Sequence, residues 1–97
     1  MIHHIQARAE ALLPKLRQTR RHLHMQPELS FQEYQTMEFV ASELEKAGIP
    51  YQKNVAGTGI IAMIRGNNPD KKCIALRADM DALPMEEANE VEYKSRN

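Results

Sequence analysis

Ninety-seven residues suffice for one small domain with a modest core, but leave little chain to enclose a substrate as well. Apolar residues make up 42% and charged residues 27% of the sequence, which excludes the low-hydrophobicity, high-charge composition of a disordered polypeptide. Thirteen Lys/Arg cancel thirteen Asp/Glu, so no net field exists to gather nucleic acid, an anionic membrane or a highly charged substrate.

From Ile2 to about His24 the residues Ile2, Ile5, Leu12, Leu13, Leu16 and Leu23 recur near helical spacing, which predicts an amphipathic helix. Pro14 lies inside it and predicts a kink or two abutting helices, because proline removes a backbone donor and crowds the preceding turn. This stretch is basic, with five Lys/Arg and one Glu in residues 1–25. Arg17, Arg20 and Arg21 lack an interleaved aromatic and read as a solvated face, not as a nucleic-acid surface. Neither His3 with His4 nor His22 with His24 has the i, i+4 spacing that would place two imidazoles on one helical face, so exposed, capping or structural hydrogen-bonding roles are expected for them.

Met25–Leu29, with Pro27, reads as a linker. Ser30 and Glu33 have the spacing of a capping box, so a second helix is expected from Phe31 to Ala47, burying Tyr34, Met37, Phe39, Val40, Ala41 and Leu44 and ending at Gly48. Beyond it the period changes. Tyr51–Val55, Gly59–Arg65 and Lys72–Ala78 read as strands, with the turn formers Gly66–Asp70 joining the last two in an antiparallel hairpin. A weaker strand is expected over Glu90–Lys94.

The lone cysteine, Cys73, sits in an apolar run and reads as a buried small hydrophobe. The longest uninterrupted apolar run, Ile60–Ile64, is far too short to cross a bilayer, and no secretory leader pattern precedes it. A soluble, cytoplasmic protein is the expectation.

Chemistry concentrates in Leu76-Arg77-Ala78-Asp79-Met80-Asp81-Ala82-Leu83-Pro84. An apolar run leads into two carboxylates and then a proline that turns the chain out of any sheet, and ligands of α/β sheets bind beyond such strand ends. Asp79 and Asp81, two residues apart, share a face in extended geometry, a spacing suited to a cation or a histidine, and equally to a solvated turn. A calcium loop is excluded, because Leu83 stands where a third oxygen ligand is needed and Pro84 where the glycine belongs. A D-x-D phosphotransferase would use the first carboxylate as nucleophile, but such enzymes usually carry Thr or Val at the position of Leu83 and place their strand near the N-terminus.

Two segments carry a resemblance. Arg20-Arg21-His22-Leu23-His24-Met25-Gln26-Pro27-Glu28-Leu29-Ser30-Phe31-Gln32-Glu33 resembles the R-R-x-L-H-x-x-P-E-L-[SG]-[FW]-x-E opening of bacterial aminoacylases, hippurate hydrolases and plant auxin-conjugate hydrolases. Leu76–Pro84 matches that family's L-R-A-D-M-D-A-L-P. The resemblance implies an α/β fold of the zinc-peptidase-like kind, with residues 1–97 as a partial N-terminal segment of the catalytic domain, its two helices followed by a β-hairpin and a further strand, and the lid or dimerisation domain absent. It implies a hydrolase that cleaves small N-acyl amino acids, such as N-acetyl or N-benzoyl conjugates. Two divalent ions (Zn, Mn, Ni or Co) would activate water, with a glutamate as general base. Asp81 matches the aspartate of the superfamily's H-x-D motif, which accepts the free N–H of a metal-bound histidine. Asp79 stands where the wider superfamily has the ligand histidine itself, a substitution typical of this branch.

The ligands would come from a downstream H-A-C-G-H-D segment and later residues. The chain alone is therefore expected to bind no metal, to be inactive, and to self-associate, as a homodimer or otherwise, through exposed edges. Glu86 and Glu87 read as surface charges. The rival expectation is a non-catalytic interaction module or a decayed gene product.

Overall fold

The computed structural model describes residues 1–68, 70–84 and 87–96. Its elements are α1 (Ile2–Met25), α2 (Tyr34–Lys46), β1 (Tyr51–Val55) and β2 (Gly59–Ala62), the two helices and antiparallel hairpin of the expected α/β fragment. The chain divides into two units, Met1–Pro27 with Met85–Asn97, and Glu28–Pro84.

In the first unit α1 is a single helix through Pro14, not the two abutting helices that were one of the two expectations. Pro14 cannot donate to the Glu10 carbonyl one turn back, but Glu10 is exposed, and a carbonyl on a solvated face can bond water instead. None of the helix's residues is buried, and Ile2, Ile5, Leu12, Leu13 and Leu16 all stand out from the surface. At its end, the Met25 carbonyl accepts the Arg96 N–H at 2.8 Å.

The second unit is built around α2. Here the sequence reading of the helix start needs correction. Leu29–Gln32 closes a turn, Gln32 N–H to Leu29 O at 2.9 Å, and Phe31 at its third position has φ 65°. A residue in that left-handed conformation cannot open a right-handed helix, so α2 begins at Tyr34. Neither Ser30 nor Glu33 makes a side-chain cap. The cap is Glu28. Its carboxylate accepts the Gln35 N–H at 3.1 Å, the Thr36 N–H at 2.6 Å and the Thr36 hydroxyl at 2.7 Å, serving the second and third helical amides that a local cap normally satisfies.

The other end follows expectation. Gly48 has φ 70°, the Gly48 N–H bonds Glu45 O, and the Ile49 N–H reaches back to Leu44 O at 3.0 Å, the paired bonds of a Schellman motif.

Met37 and Ala41 of α2 are the buried apolar residues, with Phe39, Val40 and Leu44 half-buried; Tyr34, expected in that stripe, is exposed. This face packs on the hairpin. β1 pairs with β2 antiparallel, Tyr51 opposite Ala62 and Gln52 opposite Ile61, with a bulge before Val55–Gly59. The bulge and turn use positive φ at Asn54, Ala56 and Gly57. They bring Val55 O so close that a Cβ on Gly59 would lie 2.7 Å from it, so no other residue fits there without backbone movement.

The turn is fastened to the helix by Thr58, whose buried hydroxyl donates to the buried Glu33 carboxylate at 2.8 Å. Along one face of β1, Tyr51 donates to Glu45 and Lys53 to Glu38.

The hairpin thus joins β1 to β2, one strand earlier in the chain than the pair anticipated from the sequence. The turn between Asn68 and Lys71 is present, Lys71 N–H to Asn68 O; Pro69 lies outside the described residues. Residues 72–78 and 90–94 are not in strands. A strand exists only by pairing, and no second ladder forms beside residues 72–78 among the described residues. Ile74 and Leu76 accordingly stay 86% and 96% exposed, and Cys73, read as buried, is exposed too.

The Glu28 cap makes the second unit acid-sensitive in a defined direction. Partial burial pushes the Glu28 carboxyl up, but the bonds from the Thr36 amide, the Thr36 hydroxyl and the Gln35 amide together outweigh it and hold the group below its ordinary value. A carboxyl lowered on folding contributes its stabilisation in full above the unfolded value, and loses it as pH falls through the folded one. We expect urea midpoints of the wild-type chain to fall below about pH 4.5. Glu28→Ala should lose about 1–2 kcal/mol at neutral pH and show a flatter acid limb in the same titration.

Candidate functional site

The segment 76–84 closes the second unit at its C-terminal end without regular secondary structure. Asp79, Asp81 and Leu83 are exposed while Met80 and Ala82 are half-buried, the alternation of an extended chain with one face against its own unit. Both carboxylates are thus exposed to solvent. Asp79 is engaged, since Arg77 Nη2 lies 3.1 Å from its Oδ1 in a well-solvated pair, which contributes little to stability. Asp81 has no hydrogen-bonding or ionic partner among the described residues, and its oxygens are open to an incoming donor.

Backbone fixes the segment. The Ala82 N–H donates to Glu28 O at 2.7 Å, next to the carboxylate that caps α2. Sequence reasoning placed Glu28 in a motif and gave it no role. The signal available was an acceptor two residues before Ser30, yet the amides it serves lie seven and eight residues ahead, beyond the usual capping window.

The two aspartates do not make a cation site by themselves. No group of three or more His, Cys, Asp or Glu able to hold a metal ion occurs among the described residues.

A second polar cluster lies in the other unit. His24 Nε2 is 2.8 Å from Glu87 Oε1, and Glu87 Oε2 accepts the Ser95 N–H at 2.6 Å. The Tyr93 ring stands edge-on to His24, centroids 5.5 Å apart, and the Arg21 guanidinium lies 4.3 Å over the same ring, a cation–π contact. Glu87, read from sequence as a surface charge, has a side chain only 11% exposed; Glu86 lies outside the described residues. The Ser95 amide first and His24 second hold the Glu87 carboxyl below the usual carboxylate range. With both oxygens committed, this cluster works as a clasp on the end of α1, which agrees with the structural hydrogen bonding expected of His24.

The chain is similar to many known proteins, three of which serve as examples. The chain is 51% identical to the putative amidohydrolase YhaA of Bacillus subtilis over 77 residues, 79% of the chain and 19% of that protein. It is 51% identical to thermostable carboxypeptidase 2 of Saccharolobus solfataricus over 80 residues, 81% and 20% of the two. Against the IAA-amino acid hydrolase ILR1-like 6 of Arabidopsis thaliana it is 47% identical over 81 residues, 84% and 17%. The chain therefore spans about a fifth of the length of the curated relatives it matches. No protein-family profile matches it, and no solved structure matches significantly. Among the described residues no helix is long and apolar enough to cross a membrane.

The clasp gives a direct check. Glu87→Gln keeps the shape of the side chain but removes the charge that accepts the Ser95 amide, so exchange of that amide should quicken several-fold and the Tyr93 ring signals should shift. In the wild-type chain the same changes should appear on acidification, since a carboxyl lowered on folding releases its partners only as pH falls through its folded value.

Proposed function

We infer that this chain, which belongs to the amidohydrolase family, is part of a hydrolase that cleaves the amide bond of small N-acyl amino acids, and that Asp81 is its contribution to the reacting centre. The observation that carries the reading is the 47–51% identity to three proteins named for amide hydrolysis. Two of those names, carboxypeptidase and IAA-amino acid hydrolase, share a bond to an amino acid as their target. N-acetyl and N-benzoyl amino acids are the simplest substrates of that class. A cytoplasmic location goes with the same reading.

Asp81 suits the task because of its setting. Its carboxylate is exposed and unpaired among the described residues, while its neighbour Ala82 is bonded to Glu28. An imidazole N–H offered to such a carboxylate is held in one tautomer and one orientation, and its other nitrogen becomes more basic. Asp79, with Arg77 beside it, is partly neutralised and less suited to that role. Two divalent ions, as the resemblance implies, would be held by histidine and carboxylate ligands in a full-length hydrolase, with Asp81 steadying one of them. Metal-activated water supplies the nucleophile when such ions are bound.

A full-length protein carrying this segment should hydrolyse N-acetyl or N-benzoyl amino acids and lose activity to a chelator. Asp81→Ala in it should lower kcat/KM or metal affinity by about 10–100-fold, whereas Asp79→Ala should do less. An unchanged rate in the Asp81 variant would sink the assignment. The 97-residue chain alone should show no hydrolysis.

Exposed Ile74, Leu76 and Leu83, together with the unpaired outer edge of β2, further suggest that the isolated chain self-associates. Light scattering should report dimers or larger species at micromolar concentration. A strictly monomeric solution would count against this.

A further inference from the structure

We propose that Glu28 is the positioning residue for the Asp79–Asp81 segment, coupling the first turn of α2 to it through its own backbone and side chain. The inference rests on the reading of Asp81 given above, since the segment bears on hydrolysis only if that carboxylate orients a group at the reacting centre.

The geometry is a two-ended brace. At one end the Glu28 carboxylate takes three hydrogen bonds from Gln35 and Thr36, with Thr36 itself buried. Those bonds restrain the Glu28 side chain from beyond the turn that follows it. At the other end the Glu28 carbonyl oxygen takes the Ala82 N–H, which fixes the peptide that follows Asp81. That peptide lies in a stretch with no ladder on either side, so Glu28 stands in for the strand partner that would otherwise set its height and direction. Displacements near 1 Å at a group that orients a ligand are enough to change rates severely. A residue that never meets substrate can therefore govern how well Asp81 meets its donor.

The brace can be cut at either end. In the 97-residue chain, Glu28→Ala should speed amide exchange at Ala82 by about tenfold, and Glu28→Gln, which keeps one acceptor oxygen for the two Thr36 donors but turns an NH2 towards the Gln35 amide, should restore part of the protection. Ala82→Pro deletes the donor and leaves α2 untouched, so its helical circular dichroism should match that of the wild type. In a full-length hydrolase carrying the segment, Glu28→Ala and Ala82→Pro should each lower kcat about tenfold or more, with KM within a factor of about two and Glu28→Gln between Glu28→Ala and wild type. Were the role merely structural, the loss of activity in Glu28→Ala would follow its fall in melting temperature, and Glu28→Gln would track it in the same way.

Protection at Ala82 that survives Glu28→Ala overturns the brace. So does a kcat unchanged by either variant in an enzyme that is active to begin with. Absence of any amide hydrolysis before mutation refutes the proposed function instead, and removes the basis of this inference with it.

Discussion

Glu28 is the residue on which the second unit turns. Its carboxylate answers two amides that every helix start leaves unpaired, and its carbonyl answers one amide of the segment 76–84. Both ends serve backbone groups in segments that cannot serve themselves. The turn before α2 is held by a single backbone bond around a left-handed Phe31, and residues 72–84 have no sheet neighbour. Two stretches that stand far apart in the sequence, both prominent in the family resemblance, are in this way physically one construction.

The carboxylates of the molecule divide by how they are held. Glu28 and Glu33 are consumed in fastening α2, one to its own amides and the other to Thr58. Glu87 is consumed in closing the end of α1. Asp79 leans on Arg77 in solvent. Asp81 alone of these five is uncommitted, and a side chain that keeps full hydrogen-bonding capacity while its backbone is fixed is what a partner imidazole requires.

Local signals were legible in the sequence and long-range ones were not. Gly48 announced the end of α2, because a left-handed residue after a helix is nearly the glycine's own province. The apolar periods announced both helices and β1. The start of α2 was misread because Ser30 and Glu33 satisfy a local pattern, while the groups that compete for them, Glu28 upstream and Thr58 in the hairpin turn, are set by tertiary structure. The segment 72–78 has the composition of a strand, but composition cannot supply a neighbour to pair with. Glu87 looked like one of two adjacent surface charges, and only the folding of residues 93–95 back towards His24 makes it a clasp. The spacing of Asp79 and Asp81 raised the possibility of one shared face only if a strand continued there, and the tie at Ala82 is invisible to any local reading.

The Thr58–Glu33 bond carries one more implication. A two-stranded ribbon is marginal by itself in water, and a thirteen-residue helix is scarcely better off. Joined by a buried hydroxyl–carboxylate contact at one end and by Met37 and Ala41 along the face, neither melts without exposing the other. Helix and ribbon therefore form a single cooperative block, and the segment 76–84 inherits whatever rigidity that block possesses.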